Sequence, residues 1–242
     1  MEVIGHRGAR FEAPENTLEA FRHAISLGLT TVEFDVHTTS DGALVVIHDA
    51  TVDRTTNGSG AVNEMTLEEI KSLDARSIHD WWPEPVRIPT LSEVLTTVRR
   101  VPNMEIEIKR DTERNLDHVV QGTITEIRAA GMTDSVVLTS FEPYALELAQ
   151  KLAPEIRRGF IADFANPANW YLARKFEVFK VGINLRTATP EIVQQAKSLG
   201  YQPVAWPCND EDAVRKVFAC GFEEVCTDAP TIFAPLLRGE KR

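Results

Sequence analysis

Charged side chains interrupt two apolar stretches of the sequence at every second position. Glu33 and Asp35 alternate with apolar residues in the first stretch, and Glu105, Glu107 and Lys109 do so in the second. Because side chains point alternately to the two faces of a β-strand, each apolar face suits a covering helix and each charged face must point inward. Buried charges without partners are costly. The inward carboxylates therefore need a cation close to them.

A divalent cation would satisfy these carboxylates. Three of these carboxylates can relieve their mutual repulsion by ligating one hard ion through oxygen. The sequence has no cysteine pair or histidine cluster at zinc spacing, so Mg²⁺ or Ca²⁺ is favoured over Zn²⁺. Pairing of the carboxylates with Lys109 and Arg7 alone is the alternative, but two cations are few for four inward acids.

Two histidines directly follow predicted strands. His6 lies in a Gly-His-Arg-Gly sequence and His48 in Ile-His-Asp. Barrel enzymes place catalytic groups at such strand ends, and an imidazole that titrates near neutrality suits proton transfer. We therefore predict that His6 and His48 act as an acid/base pair. The other histidines lack this context and are predicted to be structural or solvated: His23, His37, His79 and His118.

Two basic residues accompany these groups. Arg7 follows His6, and Lys109 ends the second acidic stretch. A guanidinium binds phosphate through two parallel hydrogen bonds, and a lysine adds a point charge. We predict that both residues bind an anion, a role that is compatible with ion pairs to the carboxylates.

Alternating strands and helices would position these groups. Short apolar runs rich in β-branched residues recur along the chain, and a turn and a helical pattern follow most of them, as in βαβ units with a parallel sheet. The 242 residues fit one α/β domain over 1–242, a TIM-type (β/α)8 barrel, which usually takes about 250 residues. The predicted strands are Val3–Ile4, Thr31–Val36, Leu44–Ile47, Met104–Ile108, Val136–Thr139, Arg158–Ile161, Phe179–Ile183, Pro203–Trp206 and Glu224–Thr227.

Several of the helices carry start and stop signals. Side chains and prolines that suit helix N-termini are Thr189 before Pro190, Asn209 with Asp212 three residues later, and Asp228 before Pro230. Small residues that suit helix C-termini are Gly28, Gly131, Gly200 and Gly221.

Nine strands are one more than the barrel needs. Only twelve residues separate Asp35 from His48, with a Ser-Asp-Gly turn between them, which is too short for a helical crossover. One of these two runs therefore forms a hairpin or joins the barrel without its helix. The stretch of about 50–88 also breaks the alternation and contains a capping box at Thr66. We predict that it is a small inserted subdomain at one rim of the barrel.

The composition excludes several classes of protein. Lys and Arg number 26 against 36 Asp and Glu, for a net charge of −10, which argues against broad binding to nucleic acid or anionic membranes. No signal peptide pattern opens the sequence, and no segment approaches about 20 apolar residues. Cys208, Cys220 and Cys226 are expected to be buried, reduced thiols. We expect a cytoplasmic protein without stable membrane association; the oligomeric state is open.

In their order along the chain, the motifs resemble the glycerophosphodiester phosphodiesterase family. The resemblance covers essentially the whole sequence and rests on Gly5-His6-Arg7-Gly8, Pro14-Glu15-Asn16-Thr17, Glu33-x-Asp35, Asp41-Gly42, His48-Asp49, Asp53-Arg54-Thr55-Thr56-Asn57-Gly58, Pro89-Thr90-Leu91 and Glu107-x-Lys109. Weaker matches are Ser140-Phe141, Trp206 and Thr227-Asp228-x-Pro230.

The resemblance implies a TIM-type barrel with a small insertion after the His48-Asp49 strand. It implies hydrolysis of glycerophosphodiesters to glycerol 3-phosphate and an alcohol, with Mg²⁺ or Ca²⁺ as cofactor and Mn²⁺ as a further candidate. The implied metal ligands are Glu33, Asp35 and Glu107, the acid/base pair is His6 and His48, and the phosphate-binding residues are Arg7 and Lys109. Phe141 and Trp206 would line the alcohol or glycerol side of the pocket, with ordinary barrel core as the alternative.

Two positions depart from the family pattern. Pro207 and Cys208 follow Trp206, where the family commonly has threonine, and this change could reshape the rim of the pocket. Glu105 stands where the family often has a neutral residue, so it could compete with Glu107 as a ligand. The position two residues before Lys109 favours Glu107.

Several alternatives stay open at this stage. The nucleophile is water or the 2-hydroxyl of the substrate, and either histidine can be the acid. A related barrel diesterase that acts on lysophospholipids would need an apolar rim, for which Trp81 and Trp82 are the only indication. A non-catalytic phosphodiester-binding protein would normally lack a histidine or a ligand, and none is missing. A sugar isomerase barrel would not explain His6 and Arg7 beside Lys109.

Overall fold

Eight parallel strands close into a barrel in the computed structural model, which describes residues 1–237. The strands of the barrel are β1 (Glu2–Gly5), β2 (Thr31–Thr38), β4 (Asn103–Ile108), β5 (Val136–Ser140), β6 (Arg157–Ala162), β7 (Lys180–Asn184), β8 (Gln202–Trp206) and β9 (Glu224–Thr227). Each pairs in parallel with its neighbours, and β1 pairs with both β2 and β9. These last pairings close the sheet, so the predicted TIM-type α/β barrel is confirmed.

Most of the helices cover the outer face of the sheet. The helices are α1 (Leu18–Ser26), α2 (Leu67–Ser72), α3 (Leu91–Thr97), α4 (Glu113–Ala130), α5 (Pro143–Leu152), α6 (Pro167–Lys175), α7 (Pro190–Ser198), α8 (Glu211–Cys220) and α9 (Ala234–Leu237), with 3₁₀ turns at Val62–Glu64 and Pro230–Phe233. The main apolar core lies between these helices and the outward side chains of the strands, such as Phe34 and Ile106. None of the helices within residues 1–237 combines the length and the apolar character needed to cross a bilayer.

The ninth strand forms a hairpin. β3 (Leu44–Val46) pairs antiparallel with the end of β2, with Val36 opposite Val46 and Thr38 opposite Leu44. It lies beside the barrel and adds no strand to it. The hairpin is one of the two arrangements that the short spacing between Asp35 and His48 allowed.

The stretch after His48 has an apolar cluster of its own. Its buried members are Val45, Ile47, Val52, Val62, Ile70, Ala75, Val86 and Ile88. The capping box predicted at Thr66 is present, because the Thr66 hydroxyl accepts from the Glu69 amide and the Glu69 carboxylate accepts from the Thr66 amide. This segment therefore packs against Val45 and Ile47 at the end of the hairpin.

Helices begin near two further predicted starts, at Glu211 and Pro230, but the predicted capping side chains there are wrong. The side chain that caps α8 belongs to Asp210, which accepts a hydrogen bond from the Ala213 amide, whereas Asn209 bonds to Asp228. Asp228 caps no helix, because its carboxylate accepts from Asn209 and bonds to His6. Long-range partners outcompete the local caps at both positions. The cap at Thr189 and the glycines Gly131 and Gly221 at helix ends lie as predicted.

Candidate active site

The turn after β1 has a backbone that few sequences could form. Arg7 (φ 51°) and Gly8 (φ 84°) both adopt left-handed conformations. A Cβ on Gly8 would lie 2.8 Å from the carbonyl carbon of Ala20 in α1, so glycine is needed for space as well as for its backbone angle. The turn directs the Arg7 amide to Glu33 Oε2 at 3.0 Å and thus holds His6 and Arg7 over the acidic strand β2.

Three carboxylates meet at the carboxyl ends of β2 and β4. In-register pairing sets Asp35 beside Glu107, and one oxygen from each of Glu33, Asp35 and Glu107 lies within 4.8 Å of the others. Burial, together with the charges of Asp35 and Glu107, raises the pKa of Glu33 well above its ordinary value. Burial and Asp35 raise the pKa of Glu107 to about 7. The cluster therefore carries repulsion that a cation relieves.

The predicted cations contact this cluster. Lys109 Nζ lies 2.7 Å from Glu107 Oε1 and 3.3 Å from Asp35 Oδ1, and Arg7 Nε lies 3.3 Å from Asp35 Oδ2. Burial acts to raise the pKa of Asp35, but Lys109 and Arg7 outweigh it and hold this pKa below its usual range. Asn16 donates to the same carboxylate at 2.9 Å. These contacts favour the ionised form of Asp35.

A metal ion fits the trio. Among the described residues, the buried atoms Glu33 Oε1 and Asp35 Oδ1 make no hydrogen bond; Asp35 Oδ1 has only the ion-pair contact to Lys109. Oxygen atoms of this kind are the ligands of hard divalent cations. The acidic residues Glu33, Asp35 and Glu107 can therefore hold such an ion.

A second group of potential ligands overlaps the first. His6, Glu33 and Cys226 also lie within 4.8 Å of one another. Burial, reinforced by Glu33 and Glu105, raises the pKa of the Cys226 thiol well above its ordinary value. A protonated thiol is a poor ligand, so the all-oxygen trio is the better metal site.

Glu105 is not part of the trio. It points into the barrel as its parity predicts, but Lys180 Nζ donates to its Oε1 at 2.8 Å and also to Glu224. The expectation of four inward acids served by two cations was therefore wrong, because Lys180 is a third inward cation. Because Lys180 occupies Glu105 and the trio includes Glu107, Glu107 stays the predicted ligand.

Each predicted acid/base histidine is held by an aspartate. His6 Nδ1 lies 2.5 Å from Asp228 Oδ1, and His48 Nδ1 lies 2.6 Å from Asp49 Oδ1. In both residues Nε2 is thereby left to face the cavity, and His6 Nε2 lies 3.8 Å from Glu33 Oε2. Burial lowers the pKa of His48, with Asp35 and Asp49 acting in the opposite direction.

A buried glutamate links the two sides of the site. Glu15 accepts from Arg7 Nη1 at 2.8 Å and from Arg54 Nη1 and Nη2 at 2.7 and 2.8 Å. Arg54 Nε in turn donates to Asp49 Oδ2 at 2.6 Å. The residues that orient His48 and the phosphate-binding candidate Arg7 thus share one network of charged hydrogen bonds.

A single cavity collects most of the predicted site. It has a volume of about 290 Å³, and eight of the nine predicted site residues line it: His6, Arg7, Glu33, His48, Glu107, Lys109, Phe141 and Trp206. The ninth, Asp35, is fully buried beside Glu107. Phe141 and Trp206 form an edge-to-face pair with ring centroids 5.6 Å apart, and Phe141 is partly exposed.

Residue type alone did not assign every group that supports the site. The motifs of the resemblance contain Asp49, Glu15 and Arg54 without indicating their roles. Asp228 is predicted from the sequence only as a helix cap, and Lys180 has no sequence signal. The His-Asp sequence at His48 was an available signal for Asp49. Nothing local marks Asp228 as the partner of His6, since 222 positions separate them.

Comparisons with known proteins give one consistent result. A sequence model described as "Glycerophosphoryl diester phosphodiesterase family" matches residues 6–232. A glycerophosphodiester phosphodiesterase of Caldanaerobacter subterraneus subsp. tengcongensis is 35% identical over 237 residues, which cover 98% of this chain and 97% of that protein.

Solved structures agree with the sequence comparison. A phosphodiesterase of Oleispira antarctica in complex with the product sn-glycerol-3-phosphate superimposes with a TM-score of 0.92 at 28% identity, covering 98% of this chain and 97% of the other. A glycerophosphodiester phosphodiesterase of Agrobacterium tumefaciens gives a TM-score of 0.83 at 29% identity, with coverage of 97% and 99%.

Proposed function

The chain belongs to the glycerophosphoryl diester phosphodiesterase family, and from that membership we propose that it hydrolyses glycerophosphodiesters to glycerol 3-phosphate and an alcohol in a metal-dependent reaction. The observation that carries the proposal is the cavity in which two aspartate-bound histidines face a trio of carboxylates. The product complex of the Oleispira relative supports the assignment of the substrate.

Glu33, Asp35 and Glu107 would hold the cofactor, for which Mg²⁺ and Ca²⁺ are the favoured ions and Mn²⁺ a further candidate. When bound, such an ion neutralises charge on the phosphoryl oxygens as it grows in the transition state. Arg7 and Lys109 lie against the same carboxylates and would supply N–H donors to the phosphate from the protein side.

His6 and His48 would transfer the protons. One imidazole accepts a proton from the attacking hydroxyl as the new P–O bond forms, and the other donates a proton to the leaving alcohol oxygen as the old P–O bond breaks. Asp228 and Asp49 orient the two rings through Nδ1, which leaves Nε2 for the transfer. Either histidine can take either role. The attacking hydroxyl is water, or it is the glycerol 2-hydroxyl, in which case the alcohol leaves a cyclic phosphate that water then opens to glycerol 3-phosphate.

Phe141 and Trp206 would form the wall beside the scissile group. Their edge-to-face contact presents ring surface at the entrance of the cavity. An apolar wall excludes water from the phosphate and strengthens the charged interactions there.

Activity on lysophospholipids is a second candidate with an observation of its own. Phe11, Ile78 and Trp81 are exposed and line one depression with Arg10 and Arg54. This apolar rim is larger than the sequence indicated, and Arg54 connects it to Asp49 beside the active site. It could contact an acyl chain outside the cavity.

Other expectations from the sequence stay predictions. We propose a cytoplasmic location, one domain with residues 50–88 as an inserted subdomain, and no binding of nucleic acid or stable membrane association. The net charge of −10 supports the last of these.

The test is release of glycerol 3-phosphate from a panel of glycerophosphodiesters. The protein is assayed after EDTA treatment and again with Mg²⁺, Ca²⁺ or Mn²⁺ restored, and lysophosphatidylcholine is added to the panel. We expect release that EDTA abolishes and one metal restores. No release with any metal would contradict the proposed function.

A further inference from the structure

A cysteine on the last strand of the barrel lies beside the active-site carboxylates. β1 pairs in parallel with both β2 and β9, so that Ile4 lies opposite Thr31 on one side and opposite Cys226 on the other. Cys226 packs with Ile4 and Val204 in a small apolar cluster and lines the active-site cavity. Among the described residues that line this cavity it is the one thiol. Closure of the barrel therefore brings a sulfur atom to the site.

Cys226 belongs to a group of three potential ligands with different donor atoms. One atom each of His6, Glu33 and Cys226 lies within 4.8 Å of the others, and we name these three residues the mixed-ligand group. Nitrogen, oxygen and sulfur donors together suit Zn²⁺, whereas Mg²⁺ and Ca²⁺ prefer oxygen alone. The mixed-ligand group therefore differs in metal preference from the trio of carboxylates, although both contain Glu33.

The histidine of the mixed-ligand group is oriented as a metal ligand requires. His6 Nδ1 lies 2.5 Å from Asp228 Oδ1, and a carboxylate at one ring nitrogen takes its N–H and leaves the other nitrogen without a proton. That other nitrogen, Nε2, lies 3.8 Å from Glu33 Oε2. Histidines that bind zinc almost always have a hydrogen-bond acceptor such as a carboxylate at the second ring nitrogen, and Asp228 supplies it here.

The glutamate of the mixed-ligand group has an oxygen without a partner. Glu33 is 5% exposed, and its Oε1 makes no hydrogen bond among the described residues, whereas its Oε2 accepts from the Arg7 amide at 3.0 Å. A buried polar atom without a partner is costly. A cation that binds Glu33 would relieve this cost, and the neighbours of the carboxylate decide which cation that is.

The thiol distinguishes thiophilic ions from hard ones. A coordinating thiol is deprotonated outright by Zn²⁺, so that the Zn–S bond forms as the S–H bond breaks and the proton leaves to solvent. Hard ions such as Mg²⁺ and Ca²⁺ gain little from sulfur and leave the thiol protonated. Three protein ligands with the fourth position of the tetrahedron open is a common arrangement for zinc. Cys226 therefore adds affinity for zinc without adding affinity for the hard ions.

We propose that the mixed-ligand group is an inhibitory site for thiophilic divalent cations such as Zn²⁺. With zinc bound, His6 no longer has Nε2 free for proton transfer, and Glu33 gives up an oxygen that the hard ion needs. The inhibition rests on the proposed phosphodiesterase function, whereas binding of the ion does not. The three ligands are far apart in the sequence and lie on or directly after three different strands, so no zinc spacing marks them.

Binding is tested with Co²⁺, which occupies zinc sites and gives an intense near-ultraviolet charge-transfer band when a thiolate ligates it. We expect this band when wild-type protein is titrated with Co²⁺, and we expect excess Zn²⁺ to remove it. Cys226→Ala should lack the band, and so should Cys226→Ser, which keeps the shape of the side chain. Absence of the band in the wild type, or its persistence in both variants, would overturn the site.

Cys208→Ala is the matched control. Cys208 is also fully buried, and its amide donates to the Cys226 carbonyl at 3.0 Å, but it is not among the described residues that line the cavity. The control thus removes a neighbouring buried thiol and leaves the mixed-ligand group complete. It should keep the Co²⁺ band and the zinc inhibition of the wild type.

Inhibition is measured on a glycerophosphodiester at a fixed concentration of the activating metal, with free Zn²⁺ set by a chelator buffer. Each rate is expressed relative to that of the same variant without zinc. Loss of a residue that merely orients a metal ligand lowers metal affinity about 10- to 100-fold. Loss of the sulfur ligand in Cys226→Ala or Cys226→Ser should therefore raise the Zn²⁺ concentration for half-inhibition at least about tenfold.

Two outcomes separate the inhibitory site from the proposed function. Wild-type protein that zinc does not inhibit, or equal half-inhibition concentrations for the wild type and both Cys226 variants, would overturn inhibition through this site and leave the phosphodiesterase function intact. Absence of hydrolysis with every metal would overturn the proposed function, and the Co²⁺ band would still show whether the mixed-ligand group binds the ion.

Discussion

His6, which follows the first strand of the barrel, is held by Asp228, which follows the last strand, with 2.5 Å between Nδ1 and Oδ1. Asn209 donates to the other oxygen of Asp228 at 2.6 Å and accepts from its backbone amide at 2.8 Å. The aspartate is therefore fixed on both sides, and it determines which nitrogen of His6 faces the cavity.

Asp228→Asn should lower kcat about 10- to 100-fold, because an amide neither fixes the tautomer of His6 nor stabilises its charged form. The measurement is steady-state kinetics on a glycerophosphodiester, with circular dichroism to show that the fold persists. Asp212→Asn, at an exposed position of α8, is the control and should behave as the wild type. Wild-type kcat for Asp228→Asn would contradict a positioning role.

His6→Ala and His48→Ala should each remove most turnover while the barrel survives. General acid–base catalysis by one positioned side chain contributes about 10²- to 10⁴-fold, so kcat should fall by that factor. His118→Ala is the control, since His118 only contacts the Gly42 carbonyl at the surface. A variant that keeps near-normal turnover, or one that unfolds, would count against the assignment.

Metal binding should strengthen as the pH rises from 6 to 8. The pKa of Glu107 is raised to about 7 in the metal-free protein by burial and Asp35, and a ligand must lose its proton before it binds metal. Below pH 7 the Kd for Mg²⁺ or Ca²⁺ should therefore fall about tenfold per pH unit. Titration calorimetry in buffers with different ionisation enthalpies measures both Kd and the released proton.

The same group predicts the pH dependence of stability. The pKa of Glu107 is higher in the folded protein than in the unfolded chain. Its stabilising contribution to the free energy of unfolding is therefore present at low pH and is lost as the pH rises towards 7. Metal-free wild-type protein should lose stability over this window relative to Glu107→Gln. The exposed Glu113→Gln is the control, and identical slopes for wild type and Glu107→Gln would refute the prediction.

Glu15→Ala should destabilise the fold by about 3–5 kcal/mol, because it leaves buried positive charge on Arg7 and Arg54 without its shared partner. Urea unfolding measures the loss. Glu19→Ala, which removes a surface pair with Arg22, should cost less than about 1 kcal/mol. Similar losses in the two variants would show that the buried network adds no stability.

Gly8→Ala and Gly28→Ala separate the effect of space from that of backbone angle. Gly8 and Gly28 have nearly the same φ, 84° and 86°, but a Cβ on Gly28 meets nothing within 4 Å, whereas one on Gly8 meets the backbone of Ala20. Gly28→Ala should lower the free energy of unfolding by about 1–2 kcal/mol, because alanine is strained at this backbone angle. Gly8→Ala should lower the free energy of unfolding by more than this, because the new Cβ meets the backbone of Ala20. It should also lower kcat, because the same turn positions His6 and Arg7. Equal losses of stability would mean that the contact with Ala20 is relieved without cost.

The strands and their inward faces could be predicted from the sequence because both depend on local alternation. Parity alone predicts that Glu33, Asp35, Glu105 and Glu107 point inward, and the structure brings an oxygen from each of three of them, Glu33, Asp35 and Glu107, within 4.8 Å of the others. The histidines were recognised because each directly follows a strand. Local patterns therefore predict the strands of the barrel and the residues that line its cavity.

Pairs between distant elements could not be predicted in this way. Asn209 has the local pattern of a helix cap, but it bonds to Asp228 only because β8 and β9 are neighbours in the closed barrel. Lys180 begins β7, and its partner Glu105 lies across the barrel on β4. Such contacts depend on the closure and register of the whole sheet, which no single segment encodes.

The pairing of β1 with β9 has a consequence for the newly made protein. A ribosome completes His6 and the acidic strand β2 long before it reaches Asp228, and until β9 docks beside β1 the histidine has no partner. Chains of this size acquire their native contacts with the completion of the domain. Hydrolytic activity should therefore appear only with the last strand, so that a nascent or truncated chain is inert towards the diesters around it.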